Sequence, residues 1–472
     1  MRKTGPFLVS MLLAAIIVFS IGRSIDSRLV NNQTPGATET PAVLSEVETP
    51  AGNTRPAPRS ESVSSEKETL STESSGTFSG NTLALESEPD AKTNRRIQQY
   101  VNTLAAQGFS EASQGIWMQS DGVLLANYQG TLPLPAASLT KAATTLASLD
   151  ILGANYQFST LVGTNGALKN GLLEGDLIVQ GSADPFFIWE EAITIGNLLN
   201  QIGIRQVSGD LVIVDSFYMN YQQSNLASGE LLKESLNADL WTADARAQYQ
   251  EMPSGTAKPR VLVRGQVRAG KEANDFQLLL NHKSLPLVEI LKKMNQYSNN
   301  VMADILAMKV GGADVVANTA AKMAGVPTAE IRLINGSGLG VENQMSPRAV
   351  CAVFLAIDNF LQPYDMTVSD VFTVVGEDPG VLTTRPLPTW SVMKSGSLSA
   401  ASAIAGALPT QKQNIVWFSI INGGNDLVGF RASQETLLNE LANEWGPVSQ
   451  LPAALKVNKT RASKTTENEI SQ

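Results

Sequence analysis

The sequence is poor in the side chains that proteins use most often as bases and metal ligands, with one histidine, His282, and one cysteine, Cys351, among 472 residues. A Ser-His-Asp hydrolase needs an imidazole base, and zinc hydrolases commonly need two or more histidine ligands. One cysteine also excludes a disulfide framework and a thiolate metal cluster. His282 stands in the polar run Asn281-His282-Lys283, where we expect an ordinary surface or capping residue. Any nucleophilic chemistry in this chain therefore needs another base.

A basic excess is also missing. Lysine and arginine total 35 against 44 aspartates and glutamates, which gives a net charge of −9 and a pI near 5.0. Nucleic acid is therefore not an expected partner, because no positive surplus exists to neutralise phosphates. Apolar residues make up 43%, enough for a sizeable core, and the length allows two or three domains.

One long hydrophobic run stands near the N-terminus. Phe7–Gly22 is a 16-residue apolar run after the basic pair Arg2 and Lys3, which predicts a signal peptide or membrane anchor over residues 1–23. The expected location is the cell envelope, periplasmic or otherwise extracytoplasmic, with the protein secreted or anchored by this segment. Residues 24–92 are rich in Ser, Thr, Glu and Pro and predict a disordered spacer, and the polar residues 451–472 predict a disordered tail.

Between these tails the pattern predicts an α+β fold. Residues 93–160 and 274–450 carry helical runs followed by three β-rich segments and a last amphipathic helix, and we assign them to one discontinuous domain. Residues 161–273 predict an inserted α/β domain. Within it, Gly175-Asp176-Leu177 and Gly209-Asp210-Leu211 are similar strand starts 34 residues apart, separated by a helical run over residues 188–202.

Three short motifs follow one another along the folded part: Ser138-Leu139-Thr140-Lys141, Ser298-Asn299-Asn300 and Lys394-Ser395-Gly396. This is the order of the S-x-x-K, S-x-N and Lys-Thr-Gly motifs of penicillin-binding proteins and β-lactamases. Each motif alone is weak, since Ser64-Ser65-Glu66-Lys67 and Ser235-Leu236-Asn237 match by chance. The residues around each motif must therefore distinguish the three candidate motifs from these two chance matches.

The first motif has the context of a nucleophile and its base. Ser138 and Lys141 are three residues apart on a predicted helix, so their side chains share one face. Small and apolar residues surround them, which lowers the pKa of a lysine and lets a neutral amine take the serine proton. The alternative is an N-capping serine beside a solvated lysine.

The other two motifs suit substrate binding. Ser298 interrupts an apolar helical stripe, which predicts a cleft or a break between two helices, with Ser298 as proton relay and Asn300 as a hydrogen-bond partner of the substrate amide. The alternative is a helix interrupted for structural reasons. Lys394 lies on a predicted strand that leads into Ser395, Gly396 and Ser397. We expect Lys394 to supply positive charge for a substrate carboxylate and Ser395 to supply a hydroxyl, while Gly396 allows close backbone approach to a ligand. The backbone N–H groups of Ser138 and Ser397 are candidates for an oxyanion hole, while a hairpin with a charged end is the plain alternative.

From about residue 107 to 445 the chain resembles the low-molecular-mass class C penicillin-binding proteins, which are D-alanyl-D-alanine carboxypeptidases and endopeptidases. The resemblance includes the three motifs, the phrase Asn335-Gly336-Ser337-Gly338-Leu339 and the 160 residues between Ser138 and Ser298. In this chain Lys-Ser-Gly replaces Lys-Thr-Gly, and Asn299 and Asn335 stand where the family often has Asp.

The resemblance implies a transpeptidase-like domain, with an antiparallel sheet flanked by helices and a helical lobe. It implies acylation of Ser138 by peptidoglycan stem peptides and by β-lactams, followed by hydrolysis. On the same resemblance, no metal or cofactor is expected. Two alternatives stay open: a β-lactamase-like hydrolase, and a non-catalytic member that binds peptidoglycan. Glu234 with Asn237 faintly resembles a β-lactamase omega-loop pair but is out by one residue, and we discount it.

Overall fold

The computed structural model describes residues 82–84, 88–270, 276–460 and 465–471. The predicted signal or anchor segment and most of the predicted spacer lie outside these residues. None of the helices in the described part combines the length and the apolarity that a bilayer crossing requires.

Helices and strands alternate irregularly along the described chain. The helices are α1 (Ala91–Ala106), α2 (Thr140–Leu152), α3 (Trp189–Gln201), α4 (Asn225–Ser235), α5 (Ala243–Glu251), α6 (Leu287–Gln296), α7 (Asn300–Lys309), α8 (Ala313–Ala324), α9 (Pro347–Leu361) and α10 (Leu427–Trp445). The strands are β1 (Gln114–Ser120), β2 (Val123–Tyr128), β3 (Leu134–Pro135), β4 (Ser159–Thr164), β5 (Ala167–Lys169), β6 (Leu172–Glu174), β7 (Leu177–Gln180), β8 (Gln206–Val207), β9 (Leu211–Val214), β10 (Leu262–Val263), β11 (Val267–Ala269), β12 (Gln277–Lys283), β13 (Ile331–Arg332), β14 (Gln344–Met345), β15 (Thr373–Val374), β16 (Val392–Leu398), β17 (Ala401–Pro409), β18 (Ile415–Gly423) and β19 (Glu467–Ile470).

The largest part of the fold is an antiparallel sheet covered on both faces. Its strand order is β15-β16-β17-β18-β1-β2, and every neighbouring pair is antiparallel. Side chains alternate between faces along a strand, so Ala403 and Ala405 of β17 pack under the helical lobe while Ile404 and Leu408 pack under α1 and α10. The predicted α+β class, with an antiparallel sheet, flanking helices and a helical lobe, is confirmed.

The inserted region mixes parallel and antiparallel pairing, as an α/β insertion should. The two repeated strand starts become β7 and β9, which lie parallel with Leu177 opposite Leu211. Asp176 Oδ1 accepts a hydrogen bond from the Asp210 N–H at 2.8 Å, and Arg268 bridges both carboxylates at 2.8 Å. The repeated Gly-Asp pairs therefore tie neighbouring turns together, and their role is structural.

The boundaries of the insertion differ from those predicted. β4 and β12 belong to the inserted sheet, in the order β11-β9-β7-β4-β12-β19, so this sheet begins at Ser159 and its strand β12 ends at Lys283. The predicted first residue of the insertion, 161, falls inside β4, and the predicted last residue, 273, lies before β12 and so leaves that strand out. Local alternation does not say which sheet a strand joins, because strand pairing is a tertiary choice.

Both predicted disordered flanks are wrong where the structure describes them. In the tail, Leu455 is fully buried in the helical-lobe core, and β19 pairs antiparallel with β12. At the other end α1 begins at Ala91, after Asp90 accepts a capping bond from the Thr93 N–H at 2.7 Å. Ala84 is also buried, and its N–H donates to Gln119 Oε1 at 3.1 Å. These polar stretches gain order from surfaces elsewhere in the chain.

His282 is likewise not a surface residue. It lies on β12 with no exposed area, its Nδ1 3.0 Å from Asn468 Oδ1 and its ring edge-on to Phe187 at 5.4 Å. Burial lowers the pKa of this imidazole. The polar flanking residues misled the prediction because β19, which covers the site, comes from the far end of the chain.

Candidate active site

Ser138 lies in a tight turn that leads into a buried helix. A single 3₁₀ turn, Ala137–Leu139, precedes α2, and Ala137 has a φ of +48°. Lys141 follows in the first turn of α2, with Ala142 and Ala143 fully buried beside it. Lys141 Nζ lies 3.0 Å from Ser138 Oγ. The predicted pairing of these two side chains on one face is therefore present.

The Lys141 amine is fully buried between three oxygen atoms. Besides Ser138 Oγ, its Nζ donates to Asn300 Oδ1 and to the Ser337 carbonyl, each at 2.7 Å. Burial lowers its pKa to about 7, although the nearby Asp304 carboxylate acts in the opposite direction. A neutral amine has two N–H groups and one lone pair, so the two carbonyl oxygens take the hydrogens and the lone pair faces the serine hydroxyl. This geometry suits a general base.

Ser298 occupies the predicted break between two helices. α6 ends at Gln296 and α7 begins at Asn300, with Ser298 between them at a φ of +53°. Asn299 caps α7 by accepting from the Met302 N–H at 3.0 Å. The cap and the left-handed residue turn the chain so that Ser298 and Asn300 both reach the centre of the site.

Lys394 is joined to this break from the sheet. Its Nζ donates to Ser298 Oγ at 2.8 Å and to the Ser395 carbonyl at 2.6 Å, and the residue is 1% exposed. Burial, followed by the nearby Lys141, holds the pKa of Lys394 well below its usual value. The two buried lysines therefore each face one serine hydroxyl, Lys141 facing Ser138 and Lys394 facing Ser298.

The end of β16 runs along the nucleophile turn. β15 pairs with β16 at Val392 and Met393, and β17 pairs along the whole strand from the other side. A Cβ atom at Gly396 would lie 2.9 Å from the Ala136 carbonyl oxygen and from the Ser138 nitrogen. This close approach requires glycine and brings the backbone of β16 beside Ser138.

All eight residues predicted for the site belong to one connected arrangement. They are Ser138, Lys141, Ser298, Asn300, Lys394, Ser395, Gly396 and Ser397. Of the chance matches, Ser64 and Lys67 lie outside the described residues. In the other, Ser235 Oγ donates to the Leu231 carbonyl within the inserted region. Glu234 accepts from the Thr242 N–H there, so its carboxylate is used in a local turn.

Three contributors were missed from the sequence. Ser337 presents its carbonyl to Lys141 from a loop that Asn335 Oδ1 folds by accepting from the Gly338 N–H at 2.8 Å. Asp304 lies one turn after Asn300 on α7, a spacing that places both on one face and was the available signal. Arg431, which lies on α10, donates a hydrogen bond to Ser397 Oγ at 2.7 Å. No local sequence pattern indicated this contact.

A Ser-Lys pair at the head of a buried helix, a Ser-x-Asn break and a Lys-Ser-Gly strand, on an antiparallel sheet flanked by helices, define a penicillin-recognising serine enzyme. The chain belongs to the D-Ala-D-Ala carboxypeptidase 3 (S13) family, whose model matches residues 97–230 and 242–443. This confirms the resemblance to class C penicillin-binding proteins. The chain is an enzyme of the serine D-alanyl-D-alanine carboxypeptidase type.

Individual relatives agree with the family. The chain is 23% identical to D-alanyl-D-alanine carboxypeptidase DacB of Haemophilus influenzae over 399 residues, which cover 64% of this chain and 83% of that protein. Its fold is similar to that of penicillin binding protein 4 (dacB) from H. influenzae, with a TM-score of 0.58 at 20% identity over 72% of this chain and 99% of that one. It is also similar to the penicillin G acylated Bd3459 predatory endopeptidase of Bdellovibrio bacteriovorus, with a TM-score of 0.59 at 22% identity over 75% and 99%.

Proposed function

We propose that this protein cleaves the D-alanyl-D-alanine bond of peptidoglycan stem peptides through an acyl-enzyme at Ser138, and that penicillins acylate the same serine. The observation that carries this proposal is the buried Lys141 amine, 3.0 Å from Ser138 Oγ and with a pKa near 7. A chain with one histidine, buried in the inserted sheet, needs such a base.

In the acylation step, Ser138 Oγ bonds to the carbonyl carbon of the penultimate D-alanine as its proton passes to Lys141. The carbonyl oxygen gains the negative charge of the tetrahedral intermediate. Backbone N–H groups of Ser138 and Ser397 stabilise that charge. The contact between Gly396 and the Ser138 turn supports this role, since it keeps the two backbone segments side by side.

The intermediate then collapses by breaking the peptide bond. The leaving amine takes a proton that returns from Lys141, with Ser298 as the relay and Lys394 as the donor that orients its oxygen. Asn300 Oδ1 is held by Lys141, so its amide N–H groups are free to bind the substrate backbone. Water then attacks the ester carbonyl, Lys141 takes a water proton, and Ser138 recovers its hydrogen as the acid product leaves.

The substrate lies along the end of β16 in this proposal. An extended peptide can pair with an open strand edge, and β15 leaves β16 unpaired on that side from Lys394 onwards. The Ser395 hydroxyl has no hydrogen-bond partner among the described residues, so it is free to bind the terminal carboxylate beside Lys394. Cleavage of an uncross-linked stem peptide bound in this way is carboxypeptidase activity, and cleavage of a cross-linked one is endopeptidase activity.

We also propose a location in the cell envelope, where peptidoglycan lies. The apolar N-terminal run after Arg2 and Lys3 supports export, and the Ser/Thr-rich spacer supports reach between a membrane and the wall. The segment serves as a cleaved signal or as an anchor.

Labelling of the full-length protein with a fluorescent penicillin tests the proposal. Ser138→Ala should abolish the label, whereas Ser64→Ala, which alters the chance S-x-x-K match in the spacer, should leave it unchanged. Defined muropeptides with a free or a cross-linked D-alanine then separate carboxypeptidase from endopeptidase activity by the product released.

Three other outcomes would each contradict part of this proposal. Rapid loss of label with steady drug hydrolysis indicates a β-lactamase-like enzyme. Absence of labelling in a folded protein indicates a peptidoglycan-binding member without turnover. Equal labelling of the two variants removes Ser138 as the nucleophile.

A further inference from the structure

One segment of the chain, residues 369–381, touches both the break that carries Ser298 and the strand that carries Lys394. Its short strand β15 pairs antiparallel with β16 at the two residues that precede Lys394. Near its end, the Val381 N–H donates to the Gln296 carbonyl at 3.1 Å, two residues before Ser298. The segment therefore connects the two places whose side chains meet at 2.8 Å, Lys394 Nζ and Ser298 Oγ.

The contact between this segment and the end of α6 is close. Gly380 has a φ of +131°, and a Cβ atom there would lie 2.3 Å from the Gln296 carbonyl oxygen. Gln296 Nε2 donates to the Pro379 carbonyl at 2.6 Å, and Asn295 Nδ2 donates to the Val371 carbonyl at 3.1 Å. The last two residues of α6 are therefore both bound to the segment, one near its start and one near its end.

A buried ion pair holds the segment against α6. Lys292 lies on this helix with its side chain only 8% exposed, and its Nζ is 2.5 Å from Asp378 Oδ2. The same amine donates to the carbonyls of Ser369, at 2.9 Å, and of Phe372. Asp378 Oδ2 also accepts from the Val374 N–H at 2.7 Å. One amine and one carboxylate therefore bind four positions of the segment to each other and to α6.

The Asp378 carboxylate also lies near the break itself. Burial, followed by the charge of Asp378, raises the pKa of Tyr297, the residue before Ser298, to about 12. Ser298 has a left-handed backbone with a φ of +53°, a conformation that costs free energy and persists only where surrounding contacts impose it. Lys292 and Asp378 supply such contacts from outside the three motifs.

We propose that Lys292 and Asp378 are positioning residues for the Ser298 relay. The pair fixes the α6–α7 break at the distance from β16 at which Ser298 Oγ meets Lys394 Nζ, and it acts through Ser298 and not on the substrate. The inference rests on the proposed function, in which Ser298 passes a proton to the leaving amine as the peptide C–N bond breaks. Loss of the pair should therefore slow the departure of an amine much more than that of a group that leaves without a proton.

Two substrates that differ only in the leaving atom test this with the full-length protein. One is an N-acetylated tripeptide ending in D-alanyl-D-alanine, and the other is the matching thioester, in which sulfur replaces the nitrogen of the last residue. The thiolate leaves without a proton, so its release needs no relay. We expect Lys292→Met to lower kcat/KM for the peptide about tenfold or more and to change that for the thioester less than about twofold. Ser298→Ala, which removes the relay itself, should show the same pattern.

The double variant Lys292→Met/Asp378→Asn separates positioning from a loss of folding. Either single change leaves one buried charge without its partner, which is costly, whereas the double change removes both charges. The double variant should therefore withstand more urea than Lys292→Met and still lose activity towards the peptide alone. Arg348→Met is the matched control, because it removes the cation of another buried pair, with Glu330, which joins α9 to the turn before β13. It should leave the ratio of peptide to thioester activity unchanged.

An equal loss of activity towards peptide and thioester in Lys292→Met and in the double variant would overturn the inference, because the pair would then hold the fold without acting on the relay. Unchanged rates with both substrates in the double variant would overturn it as well. Failure of the proposed function shows differently: the unaltered chain would cleave neither substrate and Ser138 would take no penicillin label, in which case the inference fails with it.

Discussion

Lys141 has three oxygen atoms within hydrogen-bond distance and, among the described residues, no carboxylate in ion-pair contact. Each additional oxygen favours the charged amine, and burial opposes it. Burial prevails, and the pKa falls to about 7. The Asp304 carboxylate limits the fall, so it sets how much neutral amine exists at a given pH.

The rate of Ser138 acylation should therefore fall with acidification. Below a pH of about 7 the neutral fraction of Lys141 drops about tenfold per pH unit, and the second-order rate constant with a penicillin should follow it. Stopped-flow kinetics can measure this dependence. The acylation rate is recorded from about pH 5 to about pH 8, the range over which such a group changes its charge. A flat profile from acid to neutral pH would rule out Lys141 as the base.

Asp304→Asn should move that profile to lower pH. The carboxylate raises the pKa of Lys141, so its removal lowers that pKa and leaves more neutral amine in acid. The amide oxygen can still accept from the Gly336 N–H, which lies 3.1 Å from Asp304 Oδ1. Glu440→Gln on the surface is the control and should leave the profile in place. A shift to higher pH would show that Asp304 acts by another route.

The break between α6 and α7 positions the second motif, and the end of β16 positions the third. The first depends on a residue in an unusual backbone conformation, and the second depends on a missing side chain. The α6–α7 break works because Ser298 accepts a left-handed backbone, which L-residues adopt at a cost. The end of β16 works because Gly396 has no side chain where the strand meets the Ser138 turn. In both places the backbone is fitted to the position of a hydroxyl or an N–H group.

Ser298→Gly and Ser298→Ala should separate the side chain from the backbone. Both remove the hydroxyl and should slow peptide hydrolysis about 100-fold or more, the scale of a lost proton relay. Only glycine relieves the strain at φ +53°, so the glycine variant should be more stable than the alanine variant by about 1 kcal/mol. Urea unfolding and initial rates measure the two effects. Equal stability with full activity in both would remove Ser298 from the mechanism.

Gly396→Ala should slow acylation without unfolding the protein. The new methyl group meets the Ala136 oxygen and the Ser138 nitrogen at 2.9 Å, and both are backbone atoms that cannot rotate away. β16 must then move from the nucleophile turn, which widens the proposed oxyanion hole. Loss of one such donor costs about 100-fold or more in rate. Wild-type penicillin acylation in this variant would contradict the assigned role of the strand end.

At the scale of the whole molecule, the C-terminal segment connects two separate cores. Leu455 is fully buried in the core of the helical lobe, and the Asn458 N–H donates to Asp370 Oδ1 at 3.0 Å. Further on, β19 pairs with β12 of the inserted sheet and covers His282. One segment of chain therefore contributes to the stability of both regions.

Leu455→Ala should lower the free energy of unfolding by about 2–5 kcal/mol, the usual cost of emptying a buried leucine site. Its neighbour Lys456 is exposed, and Lys456→Ala should change stability by less than about 0.5 kcal/mol. Thermal unfolding followed by circular dichroism compares the two. A Leu455→Ala protein as stable as the wild type would show that the tail merely lies against the fold.

The sequence alone was enough for the family and the class of the fold, and it named residues that the structure brings together at one site. Ser138, Lys141, Ser298 and Lys394 stand in motifs whose local surroundings, a buried helix start, a broken apolar stripe and a strand end, already indicate their chemistry. These signals are local because helix and strand periodicity place neighbours within a few residues on one face.

Only the tertiary structure decided what depends on distant segments meeting. The burial of His282, the order of the tail and the membership of β4 and β12 in the inserted sheet all follow from strand pairing across long stretches of chain. Arg431 reaches Ser397 from 34 residues away, and Ser337 reaches Lys141 from 196. Such contacts leave no periodic trace in a sequence, because their free energy arises from surfaces that exist only once the chain has folded.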